Sequence, residues 1–205
     1  MNRTPRPHDL LWGMTPGHLP GDAPVWAVEV LAAGLPVVVR RAPARNGLVP
    51  VGIRGKARVQ RLATWMPASA ISRVLSPEAL ACTPLEPGDD WVWLALAQIR
   101  PLLDRLGLDW GVTGSAAWQL ATGLAVLHPD SDLDLLLRTP DCLGRARAAQ
   151  LLARLEFLPC RVDLQLETPA GAIALREWAS GASLVMLKAC DGPRLVADPW
   201  WKEAA

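Results

Sequence analysis

The stretch SDLDLLL places two aspartates, Asp132 and Asp134, two residues apart in an otherwise apolar run. In an extended strand alternate residues share a face, so these carboxylates project together with their backbones about 6.5 to 7 Å apart, while Leu133 and Leu135 point into the core. Asp is disfavoured in strands, and two on one face repel each other unless a cation sits between them. Magnesium suits such oxygen ligands, especially where a substrate's phosphates complete its shell. A third carboxylate, Asp163 in RVDLQLE, alternates with Val162 and Leu164; its face joins the first pair if the two strands are neighbours. Taken singly, each segment also fits a strand with one solvated face.

Gly114 and Ser115 stand where a strand gives way to a helix. Free backbone N–H groups and the helix dipole suit a phosphate there, and glycine permits close approach. Gly-Ser is equally a common turn pair. A separate group of cations, Arg54, Lys56, Arg58 and Arg61, falls within eight positions of one segment. Arginine grips phosphate through paired N–H groups, and complementary charge speeds docking of an acidic protein. The alternative is a solvated basic face. Trp110 and Trp118 flank the Gly-Ser turn and are expected in the core rather than beneath a stacked base.

The elements that must hold these groups follow from periodicity and punctuation. WVWLALAQIRPLLDRLGL repeats apolar residues at helical spacing, with Asp89 or Asp90 as cap and Pro101 inside. After it DWGVTG reads as a strand, SAAWQLAT as a short helix, SDLDLLLRT as a strand, LGRARAAQLLARLEF as an amphipathic helix and CRVDLQLET as a strand. TPAG at 168–171 turns the chain into AIALREWA. Earlier, Pro24 opens a helix to about Ala33 that Gly34 ends, LPVVVRRA and LVPVGI read as strands, and Ser76-Pro77-Glu78 starts a short helix. Strands alternating with helices predict a layered α/β or α+β protein. The turn-rich TPLEPGDD at 83–90 suggests a boundary, dividing the chain into 1–80 and 81–205.

Composition bounds the function classes. A chain of 205 residues, 51 % hydrophobic and 20 % charged, suits one large or two small domains and excludes global disorder. Its apolar runs stop far short of the roughly 20 residues of a membrane span, and MNRTPRPHDLLWG lacks the apolar stretch of a secretory signal, so a cytoplasmic location is expected. The histidines, His8, His18 and His128, have no zinc-site spacing, and the cysteines Cys82, Cys142, Cys160 and Cys190 are expected to be reduced core residues. His8 and Asp9 are expected to anchor the terminus. The net charge of +1 conceals a division: residues 1–80 hold 10 basic and 4 acidic side chains, +6, and residues 81–205 hold 11 and 16, −5. A basic part suited to phosphate thus precedes an acidic part suited to a cation.

Gly-Ser opening a helix, Asp-x-Asp on the next strand and one Asp on a later strand together resemble the nucleotidyltransferase superfamily that includes DNA polymerase beta. Sixteen residues lie between Ser115 and Asp132, a longer spacer than many of its members carry. The continuous text GSAAWQLATGLAVLHPDSDLDLLL is more closely similar to the phosphoribosyl-dephospho-CoA transferases, the holo-acyl-carrier-protein synthases of malonate decarboxylase. RPHDLLW, VPVGIRGKARVQRLA, GAIALREWA and GPRLVADPW extend the resemblance over most of the chain.

That resemblance implies an α+β fold, with a nucleotidyltransferase-like mixed sheet and helices in the C-terminal part and a smaller N-terminal α/β domain that contacts substrate or carrier. It implies transfer of the prosthetic group of 2'-(5''-triphosphoribosyl)-3'-dephospho-CoA to a serine of the apo acyl-carrier subunit of malonate decarboxylase, with release of pyrophosphate. Asp132, Asp134 and Asp163 would be the catalytic carboxylates and ligands of two magnesium ions, Asp163 taking the serine proton. Gly114, Ser115 and the cations Arg54, Lys56, Arg58 and Arg61 would bind substrate, and no nucleic-acid partner is expected. Two other readings stay open: a nucleotidyltransferase with a small-molecule, protein or RNA acceptor, and a non-catalytic binding protein on the same fold.

Overall fold

Pro24 sets the backbone at φ −64° and ψ 142°, an extended geometry from which helix α1 (Val25–Ala32) starts, and Gly34 at φ +68° follows its end. This helix belongs to the first of two units, Met1–Ser76 and Pro77–Ala205, of a computed structural model that describes residues 4–57, 59–85 and 90–201. In the first unit, β1 (Leu10–Trp12), β2 (Val37–Val39), β3 (Leu48–Arg54), β4 (Arg61–Pro67) and β5 (Arg73–Leu75) form one sheet in the order β4-β3-β2-β1-β5. Every ladder in it is antiparallel. The α/β character expected for this part is one α-helix on an antiparallel sheet: α1 lies in the connection from β1 to β2, but those two strands pair antiparallel, so no parallel βαβ unit forms. Leu31 of α1, Val37, Val51, Ile53 and Met66 pack in the buried core of this unit.

The RPHD segment is tied into the same sheet. His8 N–H donates to the Val39 carbonyl at 2.9 Å, and the wholly buried Asp9 accepts the Arg6 N–H at 2.8 Å. His8 has φ +73°, the one positive φ outside glycine among the described residues. Such a conformation persists only where its surroundings hold it, which accords with an anchoring role for this segment.

The second unit contains α2 (Pro77–Ala81), α3 (Trp91–Asp104), β6 (Trp110–Val112), α4 (Gly114–Thr122), β7 (Leu133–Arg138), α5 (Arg145–Leu155), β8 (Val162–Thr168), β9 (Gly171–Ala174), α6 (Leu175–Ala179), β10 (Val185–Ala189) and β11 (Gly192–Val196). Asp90 caps α3 by accepting the Val92 N–H at 3.0 Å; Asp89 lies outside the described residues. The six strands run β11-β10-β9-β8-β7-β6. Only β7 and β8 are parallel, with α5 crossing between them, so the sheet is mixed and the whole fold is α+β.

Strand β7 runs between β6 and β8, and its Leu133, Leu135, Leu136 and Leu137 are all fully buried. At about 1.5–3 kcal/mol for each buried leucine, they make this strand a rigid platform. The opposite face carries Asp134 and Arg138 on either side of the buried Leu136. Arg138 there donates from Nε to Glu78 of α2 at 2.9 Å and lies 3.5 Å from Glu167 of β8. Helix α2 can approach β6 because Gly111 has no side chain: a Cβ there would meet the Pro77 backbone and lie 2.6 Å from the Glu78 nitrogen.

The cysteines depart from expectation. All four are free, but Cys82, Cys142 and Cys190 are exposed rather than in the core. Each sits beyond the end of an element, after α2, before α5 and after β10, where the chain turns at the surface.

Candidate active site

The parallel register of β7 and β8 sets Asp134 directly beside Asp163. Neighbouring strands lie about 4.8 Å apart and paired residues share a face, so the two carboxylates stand side by side. Asp132 lies one residue before β7 rather than within it, half-buried, at the end of the turn His128–Ser131. That turn closes on itself: Ser131 N–H donates to the His128 carbonyl at 2.8 Å, and Ser131 Oγ accepts the His128 N–H at 3.0 Å. The Leu133 N–H donates to the Arg161 carbonyl at 2.9 Å, which carries the strand pairing up to Asp132.

Gly114 begins α4 directly beyond β6, and the Thr113 N–H donates to the Asp134 carbonyl at 2.9 Å. The glycine has φ +64°, and a Cβ built on it would meet Asp134 Oδ2 and stand 2.7 Å from Asp134 Cγ. The helix start and the carboxylate are thus pressed together, and only glycine permits it. The opening N–H groups of a helix have no intrahelical acceptor, and the half-buried Ser115 stands at this helix start, at the edge of the acidic surface. Trp118 of α4 and Trp110 of β6 are both buried, as expected for core residues.

The long spacer between Ser115 and Asp132 is held by a residue whose role the sequence does not announce. Gln119 Oε1 accepts the N–H groups of Val126 at 2.9 Å and Leu127 at 3.1 Å, pinning the loop beyond α4 to that helix. A second such residue is Arg161. Its Nε and Nη2 donate to Asp163 Oδ1 at 3.2 and 3.0 Å, and Nη2 also reaches Oδ2 at 3.0 Å. The hydrogen bonds and then the charge of Asp163 push the Arg161 guanidinium further toward its charged form; burial opposes this, and the charges of Asp132 and Asp134 add lesser contributions in the same direction as Asp163. The three aspartates therefore act on one cation of the chain. The R-x-D alternation that leads into β8, with Arg161 one residue before the strand and Asp163 within it, is the signal that could have found it. Further along, Gln165 Oε1 accepts from Lys188 Nζ at 3.2 Å, placing a lysine two strands away on the same polar face.

Cys160 borders this surface without being its nucleophile. Burial pushes its thiol up, and the charges of Asp132 and Asp90 push it further, against a lowering hydrogen bond with the Leu133 backbone. A raised thiol carries little thiolate at neutral pH.

The donor chemistry here is wholly carboxylate oxygen, which fits magnesium. Among the described residues no three acidic, histidine or cysteine side chains gather closely enough to hold an ion. The protein thus offers part of a coordination shell, Asp134 and Asp163 side by side with Asp132 adjoining, of the kind that substrate phosphates and waters complete.

The basic segment belongs to the first unit, where it forms the end of the β3–β4 hairpin. Arg54 and Arg61 pair directly across the ladder, and Lys56 is exposed in the connection between them. Arg58 lies outside the described residues. The hairpin end thus brings two guanidinium-bearing residues and a lysine of one sign onto a single turn.

Two family models match the chain: the phosphoribosyl-dephospho-CoA transferase MdcG N-terminal domain over residues 6–77, and the corresponding C-terminal domain over residues 80–199. A protein of Azotobacter vinelandii named phosphoribosyl-dephospho-CoA transferase is 59 % identical over 213 residues, covering 98 % of this chain and 97 % of its own. Proteins of the same name from Pseudomonas putida and Pseudomonas aeruginosa are 59 % and 57 % identical, each covering 96 % of this chain and 95 % and 94 % of their own. No solved structure matches the chain. No helix among the described residues is long and apolar enough to cross a membrane.

Proposed function

The chain belongs to the phosphoribosyl-dephospho-CoA transferase family, and on that footing we propose that it moves the prosthetic group of 2'-(5''-triphosphoribosyl)-3'-dephospho-CoA onto a serine of the apo acyl-carrier subunit of malonate decarboxylase. The observation that carries this reading is the in-register Asp134–Asp163 pair set against the Gly114 helix start. It sets oxygen ligands on β7 and β8 beside the helix start that follows β6, where N–H donors suit phosphate.

The serine oxygen attacks the phosphorus nearest the ribose, and the bond from that phosphorus to the outer two phosphates breaks, releasing pyrophosphate. Asp163, whose side chain is 40 % exposed, is open to a protein acceptor and takes the serine proton. Ser115 and the first N–H groups of α4 hold the outer phosphates. Asp134 and Asp163, with Asp132 adjoining, would supply part of the shell of two magnesium ions, completed by donor phosphates and water, and such ions would supply charge neutralisation for the phosphoryl transfer. The Arg54, Lys56 and Arg61 hairpin end serves the acidic carrier or the anionic donor.

The test is a mass-shift assay. Purified protein, magnesium, the triphosphoribosyl donor and apo carrier subunit should yield carrier heavier by the prosthetic group, with pyrophosphate released in equal amount. An unmodified carrier, with an acceptor labelled instead by ATP or CTP, would assign the site to a nucleotidyltransferase of different acceptor.

A further inference from the structure

Arg161 occupies the place where the acidic surface most needs positive charge. Its bidentate grip covers both oxygens of Asp163, the same lone pairs that a metal ion would use. Removing that cation would take away the ion pair of Asp163, whose register partner on β7 is another carboxylate, Asp134. The side chain is nonetheless 68 % exposed, and it borders an open cavity of about 360 Å³ together with Pro159, Cys160 and Arg176. An arginine held at its head by one carboxylate and bordering open space can exchange partners without repacking the core.

We infer that Arg161 is a positioning residue that holds Asp163 as a stand-in cation, releases it when metal and donor arrive, and then turns to the donor's phosphate oxygens. This rests on the reading of Asp134 and Asp163 as the metal-binding pair. Guanidinium binds carboxylate and phosphate with the same forked geometry, so the exchange replaces one bidentate partner with another. Metal binding without donor is then opposed by Arg161, while donor and metal together are favoured. The site is thereby kept from filling with metal before its substrate.

The experiment titrates Mn2+, as a spectroscopic probe, into the full-length protein without donor and follows free Mn2+ by electron paramagnetic resonance. Arg161→Gln should tighten Mn2+ about two- to fivefold, the scale of one exposed ion pair removed. The same variant should raise KM for the donor, so that metal affinity and donor affinity move in opposite directions, which a merely structural residue does not produce. Arg161→Lys keeps the charge and should hold Mn2+ near the native affinity while recovering only part of the donor KM. Unchanged or weaker Mn2+ binding in Arg161→Gln, alongside loss of binding in Asp134→Asn, would overturn the inference and leave the metal site standing. Native Mn2+ binding in Asp134→Asn would overturn the site itself and the inference with it.

Discussion

Gly114 and Asp134 stand so close that one added carbon on the glycine would lie 2.7 Å from the carboxylate carbon and 2.8 Å from the aspartate Cβ. The helix start is aimed at the carboxylate by two independent restraints: φ of +64° at Gly114 and the ladder bond from Thr113 N–H to the Asp134 carbonyl.

Gly114→Ala should therefore damage chemistry more than folding. A non-glycine residue at this φ costs about 1–2 kcal/mol, lowering the melting temperature by roughly 2–8 °C for a chain of this size. The carboxylate must also move, and displacement of a reacting group by an ångström costs about a hundredfold in rate. Thermal unfolding and the carrier mass-shift assay, run on the same preparation, separate the two losses. Proportionate losses in both would mean that the contact matters for folding alone.

Gln119 carries the second prediction. Its Oε1 satisfies two backbone N–H groups of the loop that leads to Asp132. Gln119→Ala leaves both without that acceptor, at a cost of about 1–3 kcal/mol. Hydrogen exchange at Val126 and Leu127 should accelerate, and turnover should fall as the approach to Asp132 loosens. Gln119→Glu retains an acceptor oxygen and should preserve slow exchange at both amides.

The long strands and helices of the second unit were legible because their patterns are strong. β7 is a continuous apolar run broken by Asp134, α5 is amphipathic over eleven residues, and β8 alternates strictly. The pairing of Asp134 with Asp163 was only conditional in the sequence, since register depends on the crossover of α5 and not on either strand alone. The strands β1 and β5, three residues each, are too short to show any period, and β4, whose single buried residue is Met66, carries little alternation. Gln119 and Arg161 were missed for a different reason. Their importance lies in what they touch, seven or eight residues along the chain for Gln119 and across the acidic surface for Arg161, and composition cannot show that.

The hairpin end is tested by kinetics. Lys56 is exposed and Arg61 faces Arg54 across the ladder, so a bound anion would gain from all three. Lys56→Ala and Arg61→Ala should each raise KM for carrier or donor about two- to fivefold while kcat holds, the signature of binding lost equally from ground and transition states. The dependence of KM on salt should weaken in parallel. Native KM and native salt dependence in the double variant would return the segment to a solvated basic face.

Cys160 offers a chemical readout of the acidic surface. Burial raises its thiol above the ordinary range, and Asp132 is the first of the charges that raise it further. A raised thiol has less thiolate at any pH below its own, and only the thiolate alkylates. Iodoacetamide at pH 8 should therefore label Cys160 more slowly than the exposed Cys82, with the rate climbing toward higher pH. Asp132→Asn removes one negative charge, brings the thiol back toward its ordinary range and raises the thiolate fraction at pH 8, so labelling of Cys160 should accelerate while that of Cys82 stays constant. Peptide mass spectrometry resolves the two sites in one digest. Equal acceleration at both cysteines would point to a general loosening of the unit, and no acceleration at Cys160 would show that the Asp132 charge does not reach it.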